Sequence, residues 1–77
     1  MKSTELEETN SIIQIDSEIM GGTPCFRGTR VPIQNLFDFL EADEPLSEFL
    51  DAFPTVSRKQ AVSVIRIAEK SIIEMAV

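Results

Sequence analysis

Between Gly21 and Ile33 the chain reads GGTPCFRGTRVPI, a stretch that gathers the guanidiniums of Arg27 and Arg30, the thiol of Cys25 and three glycines. Two guanidiniums beside free loop amides suit an anion. A phosphate loop of the Walker kind needs four residues between its glycines and Lys-Ser/Thr after the second. Here Gly22 and Gly28 enclose five residues and Thr29-Arg30 follows, so that match fails. A scaffold accounts for more of the stretch: the glycines supply backbone angles closed to other residues, Pro24 and Pro32 stiffen the loop, and the arginines pair with carboxylates. Cys25 beside Phe26 reads most simply as a small buried hydrophobe; a reactive thiol would need an activating neighbour, and the one nearby cation is Arg27, which in a strand points the same way as Cys25.

A second set of charged groups lies near the other end. Lys59, Ser63, Arg66 and Lys70 recur at i, i+4, i+7 and i+11, a basic stripe on one side of a helix, and with Arg58 they suit phosphates. Missing residue types bound the chemistry further. The 77 residues contain no histidine, tyrosine or tryptophan and one cysteine, so Ser-His and Cys-His pairs, imidazole metal sites and the strongest base-stacking platforms are unavailable. No catalytic residue, metal, cofactor or small-molecule substrate is expected.

These groups must be held by a small set of elements. Ile12, Ile13 and Ile15 read as a short strand, and Cys25-Phe26-Arg27 as a second, with Gly21, Gly22 and Pro24 turning the chain between them. From Pro32, residues Ile33, Leu36, Phe37 and Leu40 share one helix face, and that helix ends near Ala42. Leu46, Phe49, Leu50 and Phe53 repeat the spacing after Pro45, and Pro54 stops the second helix. The third helix opens on a capping box, Ser57 with Gln60, and a staple of Val56 on Ala61; Ala61, Ile65, Ala68 and Ile72 then share one face as far as about Met75. Val62, Ile67 and Ile73 lie off that stripe, as Phe39 does on the first helix, and are expected to meet a partner.

A chain of this length is one domain with a marginal core, so self-association is expected, with Ile13, Phe26, Val62, Ile67 and Ile73 at a homodimer contact. Residues 1–10, MKSTELEETN, read as a flexible acidic tail before a single domain over 11–77. No segment has the length of a membrane span and the start lacks a secretory pattern, so a cytoplasmic protein is expected. Charge sorts by segment within the net −6: Asp38, Glu41, Asp43, Glu44, Glu48 and Asp51 give the first two helices six negative charges and no positive one, and the third helix inverts the sign.

From Ile12 to about Lys70 the chain resembles the family known as domain of unknown function 433, through Gly21-Gly22-Thr23-Pro24, Arg27-Gly28-Thr29-Arg30-Val31-Pro32, the apolar helix to Leu40, and Leu46 to Pro54 before Ser57. The resemblance implies a mainly α fold: a three-helix, helix-turn-helix-like (homeodomain-like) domain with a short N-terminal β segment. It also implies an antitoxin of a bacterial two-gene module whose partner is a PIN-like ribonuclease toxin. Toxin contacts are then expected at Arg27, Arg30, Phe39, Glu41 and Glu48, with an arginine reaching the toxin's metal-binding carboxylates. Operator contacts are expected at Arg58, Lys59, Ser63, Arg66 and Lys70. The alternative is a helix-turn-helix repressor without a toxin partner. Two positions depart from the family pattern: Asp43 stands where glycine is usual, which loosens a left-handed helix cap by about 1 kcal/mol, and Pro45 stands where serine is common.

Overall fold

The computed structural model describes residues 9–75, so the expected acidic tail lies outside the described residues up to Glu8. Thr9 and Asn10 belong to a helical turn over 9–12 that also takes up Ile12. Strand β1 is therefore shorter than the isoleucine run suggests, Ile13–Gln14, and Ile15 is exposed. It pairs antiparallel with β2, Cys25–Phe26, in the register Ile13 to Phe26 and Gln14 to Cys25. Between them a 3-10 turn spans Met20–Gly22, and Gly21, Gly22 and even Met20 take positive φ there.

Strand β2 stops at Phe26 because Arg27 and Gly28 turn the chain. Gly28 has φ 80° and the Thr29 amide donates to the Phe26 carbonyl at 3.0 Å, a turn with its left-handed residue at the third position, where glycine carries no steric cost. The chain then doubles back along β2, with the Phe26 amide donating to the Val31 carbonyl (3.0 Å) and Ile33 to Pro24 (2.9 Å). Both residues of β2 are consequently covered, and the expected alternation that set Cys25 beside Arg27 on one face does not occur: Cys25 is buried and Arg27 exposed.

Helix α1 spans Ile33–Glu41, α2 spans Leu46–Ala52 and α3 spans Arg58–Met75. The fold is mainly helical with a short two-stranded antiparallel sheet. Helix α1 ends in a Schellman motif: Glu44 N–H reaches the Phe39 carbonyl (3.0 Å) and Asp43 N–H the Leu40 carbonyl (3.1 Å), with Asp43 at φ 63°. Pro45 precedes α2 with no side-chain cap. The capping box at α3 forms reciprocally, with Gln60 N–H on Ser57 Oγ and Ser57 N–H on Gln60 Oε1, both at 3.0 Å.

The core comprises Phe26, Leu36, Phe49, Val56, Ala61 and Val64. Phe49 is its centre, with ring centroids 5.9 Å from Phe26, 5.6 Å from Phe39 and 5.2 Å from Phe53. The packing corrects two expectations. Helix α1 buries Leu36 and sets the Phe39 ring edge-on against Phe49 and Phe53, whereas Leu40 is left 36% exposed. On α3 the buried positions are Ala61 and Val64, and the same side continues through Ala68 to Ile72 and Met75, where no core lies beneath it: Ile72 is 66% and Met75 83% exposed. At 1.5 Å per residue the 18-residue helix is about 27 Å long, and its last five residues, 71–75, are all exposed.

Candidate functional site

The Arg27–Arg30 loop is held from three sides. The Arg27 guanidinium donates through Nε to the Asn10 carbonyl (2.7 Å) and through Nη2 to the Ile13 carbonyl (3.1 Å), while its amide donates to Ile12 (2.8 Å). Gln14 grips the turn from β1: its Nε2 donates to the Thr29 carbonyl (3.1 Å) and its Oε1 accepts from the Gly28 amide (3.3 Å). Thr29 Oγ1 donates to the Phe26 carbonyl (2.8 Å) and accepts from the Val31 amide (3.0 Å). Finally Gln60 Nε2 donates to the Arg27 carbonyl (3.1 Å), fastening α3 to the loop. Gln14 and Gln60 were not singled out by sequence reasoning for this role; the capping-box match identified Gln60 but gives no sign of its second bond.

Among the described residues, the Arg27 guanidinium thus bonds to backbone carbonyls rather than to a carboxylate. Arg30 is exposed, makes no side-chain hydrogen bond among the described residues, and borders an open depression of about 630 Å³ that Gln14, Gly28, Thr29 and Thr55 also line. Of the two expected toxin-facing arginines, Arg30 is the one whose guanidinium is uncommitted. The thiol of Cys25 is buried and donates to the Thr23 carbonyl at 3.3 Å, the surroundings of a packed cysteine.

The acidic side chains of α1 and α2 project outward: Asp38, Glu41, Glu48 and Asp51, with Asp43 and Glu44 in the connection, are all exposed. Phe39, expected among the toxin contacts, is half-buried in the aromatic cluster instead. The apolar residues beside the acidic side chains are Ile33 and Phe37. With Thr23, Pro24 and Gln34 they line a second depression of about 370 Å³. Gln34 Nε2 donates to Asp38 Oδ1 at 3.0 Å, so the rim of this hollow runs directly into the acidic side of α1.

On α3, Arg58, Lys59, Arg66 and Lys70 are exposed and Ser63 half-exposed; Lys59, Ser63, Arg66 and Lys70 lie on the side turned away from Ala61 and Val64. Among the expected dimer residues, Phe26 is completely buried in the chain's own core and has no surface to offer a second copy. Ile13, Val62 and Ile67 are half-buried, and Ile73 is 59% exposed. Among the described residues no group of three or more cysteines and carboxylates is arranged to hold a metal, and no helix is long and apolar enough to cross a membrane.

A sequence model of the family described as "Protein of unknown function (DUF433)" matches residues 13–68. The uncharacterized protein y4eO of Sinorhizobium fredii (strain NBRC 101917 / NGR234) is 30% identical over 56 residues, which are 73% of this chain and 25% of that protein. The chain therefore spans about a quarter of that relative's length. The crystal structure of a DUF433 member protein from Anabaena variabilis ATCC 29413 superposes with a TM-score of 0.68 at 20% identity, covering 97% of this chain and 74% of that one. At that identity the likeness concerns the fold.

Proposed function

The chain belongs to the DUF433 family, and we propose that it is an antitoxin that binds and silences a PIN-like ribonuclease encoded beside it. The observation that carries this reading is the surface of α1, α2 and their connection, which displays six exposed carboxylates and no cation, with half-exposed Ile33 and Phe37 on the α1 side of it. A nuclease groove built to hold RNA is positively charged, so an acidic face with an apolar edge is complementary to it. Arg30 supplies the complement to the nuclease's own metal-binding carboxylates: a guanidinium placed there occupies the position of the cation. Arg27 acts behind it, fixing the loop through Asn10 and Ile13.

Operator binding is the second reading, and α3 favours it. We read α2, the turn over 53–57 and α3 as a helix-turn-helix of homeodomain-like kind, in which the exposed Arg58, Lys59, Ser63, Arg66 and Lys70 face phosphate and base edges. A dimer sets two such stripes on one duplex. Self-association uses the uncovered end of α3: Ile72 and Met75 continue the helix's apolar side past the core, and Ile73, off that stripe, is exposed beside them. A repressor without a toxin partner would use the same helix and leave the acidic face idle.

Co-expression with the adjacent gene tests the assignment. The neighbour expressed alone should arrest growth, and together the two should co-purify and growth should recover. A neighbour that is harmless and does not co-purify overturns the reading.

A further inference from the structure

We propose that the hollow between the Thr23-Pro24 segment and α1 is the primary docking site for the nuclease, and that it receives one apolar side chain flanked in the partner by lysine or arginine. The inference rests on the antitoxin reading and deepens it by naming the contact. The hollow of about 370 Å³ is lined by Pro24, which is exposed, and by Ile33 and Phe37, which pack against the core on one side and stay partly uncovered on the other. Leu40, one turn beyond Phe37 and 36% exposed, extends the same apolar edge.

Charge fixes the kind of occupant. Asp38 is joined to the rim through Gln34, and Glu41 follows Phe37 by one helical turn, so the hollow opens beside two exposed carboxylates. No lysine or arginine occurs from Val31 to Ser57, so neither α1 nor α2 carries a cation of its own to neutralise them. An acidic or neutral partner gains nothing here; a basic one gains complementary charge around an apolar anchor, the arrangement in which one buried side chain supplies affinity and the charged rim supplies orientation and encounter rate. The hollow also has a firm wall. Pro24 is tied to the start of α1 by the Ile33 amide (2.9 Å), and Cys25 bridges to Pro32, so the pocket exists before a partner arrives.

The site differs from the one expected from the sequence. Arg27 is committed to backbone carbonyls and Phe39 to the aromatic cluster, which leaves Phe37, Ile33 and Pro24 as the anchor-receiving surface.

The test measures binding of the purified neighbouring-gene nuclease to the full chain by titration calorimetry. The double variant Asp38→Lys/Glu41→Lys changes only exposed side chains and should weaken binding at least tenfold and flatten its salt dependence. The control Glu18→Lys/Glu69→Lys makes the same change in net charge at exposed positions away from the hollow and should weaken binding less than threefold. Ile33→Ser should weaken it comparably to the double variant, with circular dichroism reporting that the helices persist. If the wild-type chain binds and the double variant binds equally well, or if the control loses as much affinity as the double variant, the docking site is wrong while the antitoxin reading stands. If the wild-type chain does not bind the nuclease at all, both fall together.

Discussion

Gln60 performs two tasks with one amide, and separating them gives the sharpest check on how the loop is held. Its Oε1 and amide complete the capping box with Ser57 at 3.0 Å, and its Nε2 crosses 33 residues to the Arg27 carbonyl at 3.1 Å. A net intramolecular hydrogen bond contributes about 0.5–1.5 kcal/mol, and these lie at the solvent-accessible surface, so the lower half of that range applies. Ser57→Ala removes the acceptor for Gln60 N–H and should cost about 1 kcal/mol. Gln60→Ala removes the reciprocal bond and the link to Arg27 together, about 1–2 kcal/mol. Gln60→Glu keeps a carboxylate oxygen for Ser57 N–H and adds charge at a helix N-terminus, worth about 0.3–1 kcal/mol, yet sets an acceptor against the Arg27 carbonyl. For a domain of this size each kcal/mol moves Tm by about 4–8 °C. Thermal unfolding by circular dichroism should therefore rank the variants wild type, Ser57→Ala, Gln60→Ala in falling Tm. The Gln60→Glu variant should gain nothing from its charge, and amide exchange at Gly28 and Thr29 should quicken in both Gln60 variants and not in Ser57→Ala. If Gln60→Glu raises Tm above wild type and leaves that exchange unchanged, the bond to Arg27 holds nothing and the loop is fixed by Gln14 and Arg27 alone.

Three further outcomes are expected. Asp43 sits at φ 63° in the Schellman cap of α1, so Asp43→Gly should raise stability by about 1 kcal/mol in chemical denaturation, less the entropy that glycine adds to the unfolded chain; a loss of stability would show that the Asp43 side chain contributes a contact that outweighs the backbone strain. Changing Lys59, Arg66 and Lys70 together to Glu should abolish promoter binding in a gel-shift titration and leave nuclease binding within threefold, and an unchanged gel shift removes α3 as the DNA-contacting helix. Light scattering at micromolar concentration should report a dimer, and Ile72→Glu/Met75→Glu should return it to a monomer with its helices intact; a dimer that survives those changes locates the contact elsewhere.

Elements that depend on neighbours in sequence were legible from the residues alone. The capping box of α3 and the proline-bounded starts of α1 and α2 follow from local backbone rules, and the structure has them; the left-handed cap at Asp43, implied by the family pattern, is present too. What could not be read is set by contacts distant in sequence. Phe39 falls off the i, i+3, i+4, i+7 pattern of α1, and only the rings of Phe49 and Phe53, contributed from beyond α1, draw it inward. Ile72 and Met75 keep the spacing of a buried side, because periodicity describes one helix and carries no information about where the layer beneath it ends. Likewise the bonds of Gln14 to the turn at Gly28 and Thr29, and of Arg27 to Asn10 and Ile13, join residues 14 to 17 apart, a separation at which no propensity speaks.

The loop's most specific residues turn out to be its most structural ones. In Arg27-Gly28-Thr29-Arg30 the first guanidinium anchors two carbonyls, the glycine takes a left-handed turn, and the threonine hydroxyl bridges Phe26 to Val31. Three of the four residues are thereby explained by the frame they build, and only Arg30 is left over for a partner. A family motif of this composition reports that the frame is present. On the proposed reading, binding resides in what the frame displays: carboxylates near Ile33 and Phe37 on α1, cations along α3, and an apolar helix end left exposed among the described residues. Each of these surfaces can be altered by surface substitutions that leave Arg27, Gly28, Thr29, Gln14 and Gln60 in place, so each proposed partner can be tested one surface at a time without unfolding the domain.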